Sequence, residues 1–163
     1  MAEENPQAAA SEEATGQVFA LQRVYLKDSS FEVPNAPLIY QEEWKPEVSV
    51  NLSSKVQGLA DDVYEVVLSV TLTAKLGEKV AYLCEIHQAG VFTAKDFSKE
   101  ELGPILGVHC PTILFPYARE VVSDLVSRGT FPQMLLKPVD FAGLYTQHLQ
   151  QQEQGAAAGE VTH

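Results

Sequence analysis

Two cysteine–histidine pairs are the most chemically suggestive groups in this sequence: Cys84 stands three residues before His87, and His109 adjoins Cys110. Thiolate and imidazole are ligands of tetrahedral zinc, and a cysteine beside a histidine base is also an activated nucleophile. The spacing works against both. Residues three apart on an extended strand point to opposite faces, so Cys84 and His87 diverge, and no C-x-x-C arrangement occurs. A buried thiol with partly exposed imidazoles is the simpler reading. The sequence also lacks a phosphate-binding P-loop, a dinucleotide fingerprint, H-E-x-x-H and G-x-S-x-G. Nucleotide-driven work therefore has no visible site, and no catalytic or metal-binding residue is assigned.

Two other groupings carry binding chemistry. Asp28 and Glu32 lie in "LKDSSFE", while Glu85 and Leu83 share one side of a later strand. Such charges suit a solvated sheet face, or a docking surface on which acidic groups steer a basic partner and an apolar residue anchors it. The second grouping is the connection "SFEVPNAPLIYQEEWKPEV" (30–48), with three prolines, Phe31, Tyr40 and the only tryptophan, Trp44. A connection this long without periodicity is usually functional or disordered, and disordered linkers avoid large aromatics. Tyr40 and Trp44 either fold back to seal the core or form an adaptable apolar wall for an extended peptide.

The elements that position these groups divide into strands first and helices second, an α+β arrangement. "QVFALQRVYLKD" (17–28) alternates with Phe19, Leu21 and Tyr25 on one side and Val18, Val24 and Leu26 on the other. "EVSVNLSSKVQ" turns Val48, Val50 and Leu52 one way. "DVYEVVLSVTLTAKL" (62–76) alternates throughout its length. After a Gly77–Glu78 turn, "KVAYLCEIHQAGVF" sets Tyr82, Cys84 and Ile86 opposite Leu83, Glu85 and His87. These predict a four-stranded antiparallel sheet with a long crossover connection, one face covered and one wetter. The period then changes. "PTILFPYAREVVSDLVSRGTFP" (111–132) predicts a helix ended near Gly129, with Pro116 as either a kink or the true start. Its apolar arc, from Ile113 and Tyr117 to Val126, spans more than the roughly 100° stripe a surface helix needs. A second surface, supplied by oligomerisation, would account for the excess. A shorter helix is predicted over 137–152.

At 163 residues, with 45% hydrophobic and 20% charged residues, the chain is expected to fold as one domain with a real core. Residues 1–15 read as a disordered acidic tail, 16–152 as the single domain and 153–163 as a disordered C-terminal tail. The net charge of −11 argues against phosphate-backbone binding, hence against nucleic acid. No apolar run approaches bilayer-spanning length. The acidic N-terminus has no signal-peptide core, and two unpaired cysteines suit a reducing, cytoplasmic setting.

Several strings resemble one family closely. "LADDVYEVVLSVT", "LCEIHQAGVF", "HCPTILFPYAREVVSDLVSRGTFP" and "SFEVPNAP" are similar to the bacterial protein-export chaperone family SecB, over about residues 17–152. The resemblance implies a homotetramer, a dimer of dimers with helices sandwiched between two eight-stranded sheets, in which the first strand pairs across the dimer. It implies ATP-independent binding of unfolded precursor polypeptides and their delivery to the SecA motor, without a cofactor and without membrane insertion. Tyr25, Phe31, Trp44, Tyr82 and Tyr117 would line an aromatic client subsite, and Val48, Val50 and Leu52 a shallower apolar wall. Asp28, Glu32, Leu83 and Glu85 would form the docking face for SecA's basic, zinc-bearing C-terminal tail, so that the zinc belongs to the partner. A small-ligand protein or enzyme would need a convergent polar constellation beside the aromatics. A purely structural oligomer subunit would instead bury the aromatics as core.

Overall fold

The computed structural model describes residues 16–159. The expected acidic tail, 1–15, and residues 160–163 lie outside the described residues. Four long strands come first: β1 (Val18–Glu32), β2 (Glu47–Ala60), β3 (Val63–Leu76) and β4 (Lys79–Lys95). They form one antiparallel sheet in the order β1-β4-β3-β2. Two-residue turns join β2 to β3 and β3 to β4, with Asp62 and Gly77 at positive φ, a conformation the tight turns require. The β1–β2 connection cannot be short, because β1 and β2 lie at opposite edges of the sheet.

β1 departs from simple alternation. Its register against β4 slips twice, between Leu21 and Arg23 and between Leu26 and Asp28, leaving Gln22 and Lys27 as inserted residues. Each β-bulge reverses the side to which later side chains point. Phe19 and Val24 therefore both pack on the core, although alternation alone assigned them to opposite sides. Tyr25 moves to the face away from Phe19. The buried Gln88 donates to the Tyr25 carbonyl at 3.0 Å, satisfying backbone at the second bulge.

The helical half begins earlier than the apolar arc indicated. α1 (Lys99–Pro104) opens on Ser98, whose hydroxyl accepts from the Glu101 amide at 3.2 Å, while Glu101 accepts from the Ser98 amide at 2.8 Å. This is a reciprocal capping box. A widened π turn over Ile105–His109 leads into α2 (Cys110–Arg128). Pro111 lacks an N–H for the i→i−4 ladder, and a π turn just before it absorbs the mismatch. Pro116 lies inside α2 and does not start it. α3 runs Phe141–Gly159, beginning after Asp140, which accepts from the Gly143 amide at 3.0 Å. Its expected end near 152 is corrected: Gln, Glu and Ala beyond that point are good helix formers and carry it to Gly159. No helix among the described residues is long and apolar enough to cross a membrane.

α2 buries Leu114, Ala118, Val122 and Val126, one residue per turn, against β4 and β3. Facing them, Val66, Leu68, Val70, Leu72, Tyr82, Ile86 and Phe92 are essentially inaccessible, each contributing roughly 1.5–3 kcal/mol by burial. The closest approach is at Gly90, where an added Cβ would lie 2.7 Å from Phe92 Cε2 and 2.9 Å from Leu114 Cδ2. Gly90→Ala is expected to cost about 1–3 kcal/mol of unfolding free energy by overpacking. Gly58→Ala, whose new carbon meets nothing within 4 Å, should be neutral or stabilising. Urea denaturation of the two variants checks the contrast.

Candidate functional site

The crossover between β1 and β2 is ordered by aromatic stacking. Tyr82, only 1% exposed, forms the floor. Phe31 lies 5.6 Å and Trp44 6.4 Å from its ring centre. Phe131, just beyond α2, stacks against Tyr82 at 5.0 Å, Tyr40 at 5.2 Å and Trp44 at 5.4 Å. The Tyr40 hydroxyl donates to the Gly129 carbonyl at 2.8 Å, Asn35 Nδ2 to the Val80 carbonyl at 2.9 Å, and Lys79 pairs with Glu42 at 2.6 Å. Gly129 is required sterically: a Cβ there would lie 2.7 Å from the Phe31 ring. Burial pushes the Tyr82 hydroxyl up to about 12, with the neighbouring Cys84 adding to the shift, so it stays protonated.

Val48, Val50 and Leu52 pair with Ala74, Leu72 and Val70 and thus point to the helix side of the sheet. α2 covers β4, β3 and part of β1 but leaves this stretch of β2 open: Val48 and Val50 are each 39% exposed, while Leu52 is half-buried against the core. The result is an aromatic cluster that continues into an apolar shelf along an edge strand.

Of the five aromatics the resemblance assigned to one subsite, the fold brings Phe31, Trp44 and Tyr82 together. Tyr25 requires correction. It pairs with Ala89 on the far face, because the bulge at Gln22 reverses its direction, and its hydroxyl donates to Glu65. Tyr117 stands 48% exposed on α2 and joins no ring contact among the described residues, so this chain alone does not bring it to the cluster. Phe131 was missed; the string "SRGTFP" held it, but nothing in helical periodicity distinguishes a residue after the helix end. Tyr40, for which core and groove both stood open, caps the cluster from outside.

On the opposite face, cross-strand pairing aligns three rows: Asp28 with His87 and Ser69, Ser30 with Glu85 and Thr71, and Glu32 with Leu83 and Thr73. Asp28, Glu32, Leu83 and Glu85 are thereby neighbours. His87 sits among them, its Nε2 2.9 Å from Glu85 Oε1 and its Nδ1 3.1 Å from Ser69 Oγ. Cys84 points instead into the core, and burial pushes its thiol up to about 11 and that of Cys110 up to about 12. His109 packs 5.0 Å from Phe19. Neither cysteine faces its histidine as a ligand pair or nucleophile dyad would, and among the described residues no three His, Cys, Asp or Glu side chains form a metal-ligand group.

Beside the acidic rows, Glu65 is buried to 6% exposure and accepts from Tyr25 and from Lys27, the latter at 2.8 and 3.0 Å. The Lys27 hydrogen bonds, then the Tyr25 hydroxyl, hold the Glu65 carboxyl below the usual range against the opposing effect of burial. Tyr25 is raised, chiefly by the same hydrogen bond.

The family model for preprotein translocase subunit SecB matches residues 12–152. The protein-export protein SecB of Nitrosococcus oceani is 53% identical over 165 residues, covering 100% of this chain and of that protein. That of Marinobacter nauticus is 50% identical over 98% of this chain and 99% of its own length. Among solved structures, a SecB-like chaperone of Mycobacterium tuberculosis in complex with an antitoxin peptide superposes with a TM-score of 0.62 at 20% identity, covering 74% of this chain and 90% of that one. At that identity the likeness speaks for the fold.

The Glu65 network has a pH signature. A carboxyl with a depressed folded pKa stabilises the fold above the ordinary carboxylate range, and this stability is lost as pH falls through the folded value. The raised Tyr25 hydroxyl contributes below the ordinary tyrosine range and loses its contribution as pH rises through its folded value. Glu65→Gln should therefore be less stable than the parent at neutral pH, with the difference shrinking in acid. Urea unfolding across pH measures it; a difference unchanged in strong acid would contradict the assignment.

Proposed function

The chain belongs to the SecB family of preprotein translocase subunits, and on that premise we propose that it is an ATP-independent chaperone that holds unfolded precursor proteins and passes them to SecA for export. The observation that carries this reading is the aromatic cluster running into the uncovered face of β2. Trp44 and Phe31 lie over a floor formed by the buried Tyr82 and Phe131, and Val48, Val50 and Leu52 extend the apolar surface at strand spacing.

An unfolded segment has what fits such a groove: apolar and aromatic side chains at irregular spacing and an unpaired backbone. β2 has no strand neighbour on its outer side among the described residues, so its backbone N–H and C=O groups can accept an added strand without reading sequence. A native protein has buried the same segments and paired the same groups, and so is not held. The work is non-enzymatic, since capture and release involve no bond chemistry. Repetition of weak grooves in a tetramer, a dimer of dimers, would multiply their strength through effective concentration. Exposed Val18, Leu21 and Leu26 on β1 and the half-exposed Tyr117 fit surfaces covered in that assembly, and the assembly would also complete the groove around Tyr117.

The second surface supports delivery. Asp28, Glu32 and Glu85 around Leu83 offer a negative field with an apolar centre, suited to the basic, zinc-bearing tail of SecA in the cytoplasm. Because the sheet separates this face from the groove, client and motor can be engaged together.

A denatured precursor should be captured without ATP and its folded form should not; equal binding of both, or of neither, would defeat the chaperone reading. Trp44→Ala is expected to weaken capture by about tenfold or more, as loss of a central aromatic anchor does, measured by anisotropy of a labelled precursor. Glu85→Lys should weaken SecA association and leave precursor affinity unchanged, which titration of each partner against the same variant decides.

A further inference from the structure

The acidic face has a cation built into it, and the fold keeps that cation out of the way. Lys27 is the inserted residue of the second β1 bulge. Unbroken alternation from Phe19 would have turned it towards the helices; the first bulge, at Gln22, brings it to the open face, and the second sets Asp28 on that face immediately after it. Left there, it would neutralise part of a surface whose chemistry is negative. It is instead drawn to Glu65, with Nζ–Oε distances of 2.8 and 3.0 Å. Glu65 occupies the row of Arg23 and Val91, two rows from that of Asp28, His87 and Ser69. Rows on one face of a strand are about 7 Å apart, so the ammonium is carried away from Glu85 and Glu32.

The geometry points to Glu65 as a positioning residue for the acidic docking face: it sequesters Lys27 and so preserves the negative field at Asp28, Glu32 and Glu85. Three features fit this role. Glu65 is buried although it lies on the solvent side of the sheet, so its charge is spent on Lys27 and Tyr25. The Tyr25 hydroxyl, on the neighbouring row, fixes the carboxylate from the side. Lys55, on the adjacent strand β2 opposite Val67, also draws the Glu65 carboxyl down but makes no hydrogen bond to it, so Lys27 is the cation that the carboxylate holds in place. Removing the negative charge while keeping the shape should free Lys27 to swing over the acidic rows.

This inference rests on the reading of that face as the site for a basic partner, and the test separates the two. The probe is a fluorescent lysine-rich peptide binding the full chain at low ionic strength. Glu65→Gln is expected to weaken binding about threefold, the scale of one partly exposed charge, and the loss should vanish at about 1 M salt, where such charges are screened. The double variant Lys27→Met with Glu65→Gln should restore parental affinity, because the cation that the carboxylate held is gone. A structural defect at Glu65 would not be repaired by changing Lys27. If Glu65→Gln binds as the parent does, or if the double variant fails to recover, sequestration is overturned. If Glu85→Lys leaves peptide binding intact, the docking reading itself fails, whatever Glu65 does.

Discussion

One insertion in a strand reverses the side taken by every residue after it, and β1 makes two such insertions. Between the bulges at Gln22 and Lys27 the phase is inverted, and beyond the second it is restored. Phe19 and Phe31 thus both reach the helix side and pack on the core, while Tyr25 between them faces away. The arrangement lets one strand serve both surfaces: Phe31 enters the aromatic cluster at one end, Asp28 and Glu32 enter the acidic rows, and Tyr25 with Lys27 closes over Glu65. A regular strand would have turned Tyr25 and Lys27 into the helix layer, where an ammonium has no compensating partner.

The two faces then divide by solvent. The inner face is committed to α2 along β4 and β3, and its commitment ends before β2. What remains, among the described residues, is an apolar shelf at Val48 and Val50 that α2 leaves exposed. The outer face carries serine, threonine and charged residues around Glu85 and Asp28, the pattern of a sheet in contact with water, with Leu83 among them, while Val63, Val67, Ala89 and Val91 make it apolar nearer Glu65. On the proposed reading, apolar groups on the first surface would bind by area, with little screening by salt, while charges on the second would steer and discriminate. The four-stranded sheet between them would keep the two recognition modes from competing.

Periodicity made the α+β order, the β3 and β4 faces and the helix over 111–128 legible, because a side chain's environment repeats with the element. The grouping of Phe31, Trp44 and Tyr82, and of Asp28, Glu32, Leu83 and Glu85, came from family resemblance, since contacts between distant segments leave no local period. The Tyr25 reversal was not legible: a bulge changes phase without a sequence mark when no glycine is involved. The early helix start could have been read, since Ser98-Lys99-Glu100-Glu101 has the S-x-x-E form of a capping box. Phe131 could not, because its role depends on Gly129 letting the chain pass within contact of the Phe31 ring.

The aromatic cluster is both core and surface, and this limits how it can work. Tyr82 and Phe131 are buried, held by the packing that holds the sheet to α2, and truncating either would open a cavity as well as alter binding. Trp44 and Tyr40 lie over them, tied down by the Tyr40–Gly129 hydrogen bond and the Lys79–Glu42 pair. The prolines at 34, 37 and 46 restrict the segment further, so little conformational freedom remains to be lost when a peptide arrives. A preformed floor would offer every unfolded segment the same contact, independent of its order of residues. Breadth of recognition would then follow from rigidity: the cluster would not remodel itself for each peptide, and the peptide, still unfolded, would supply the adaptation.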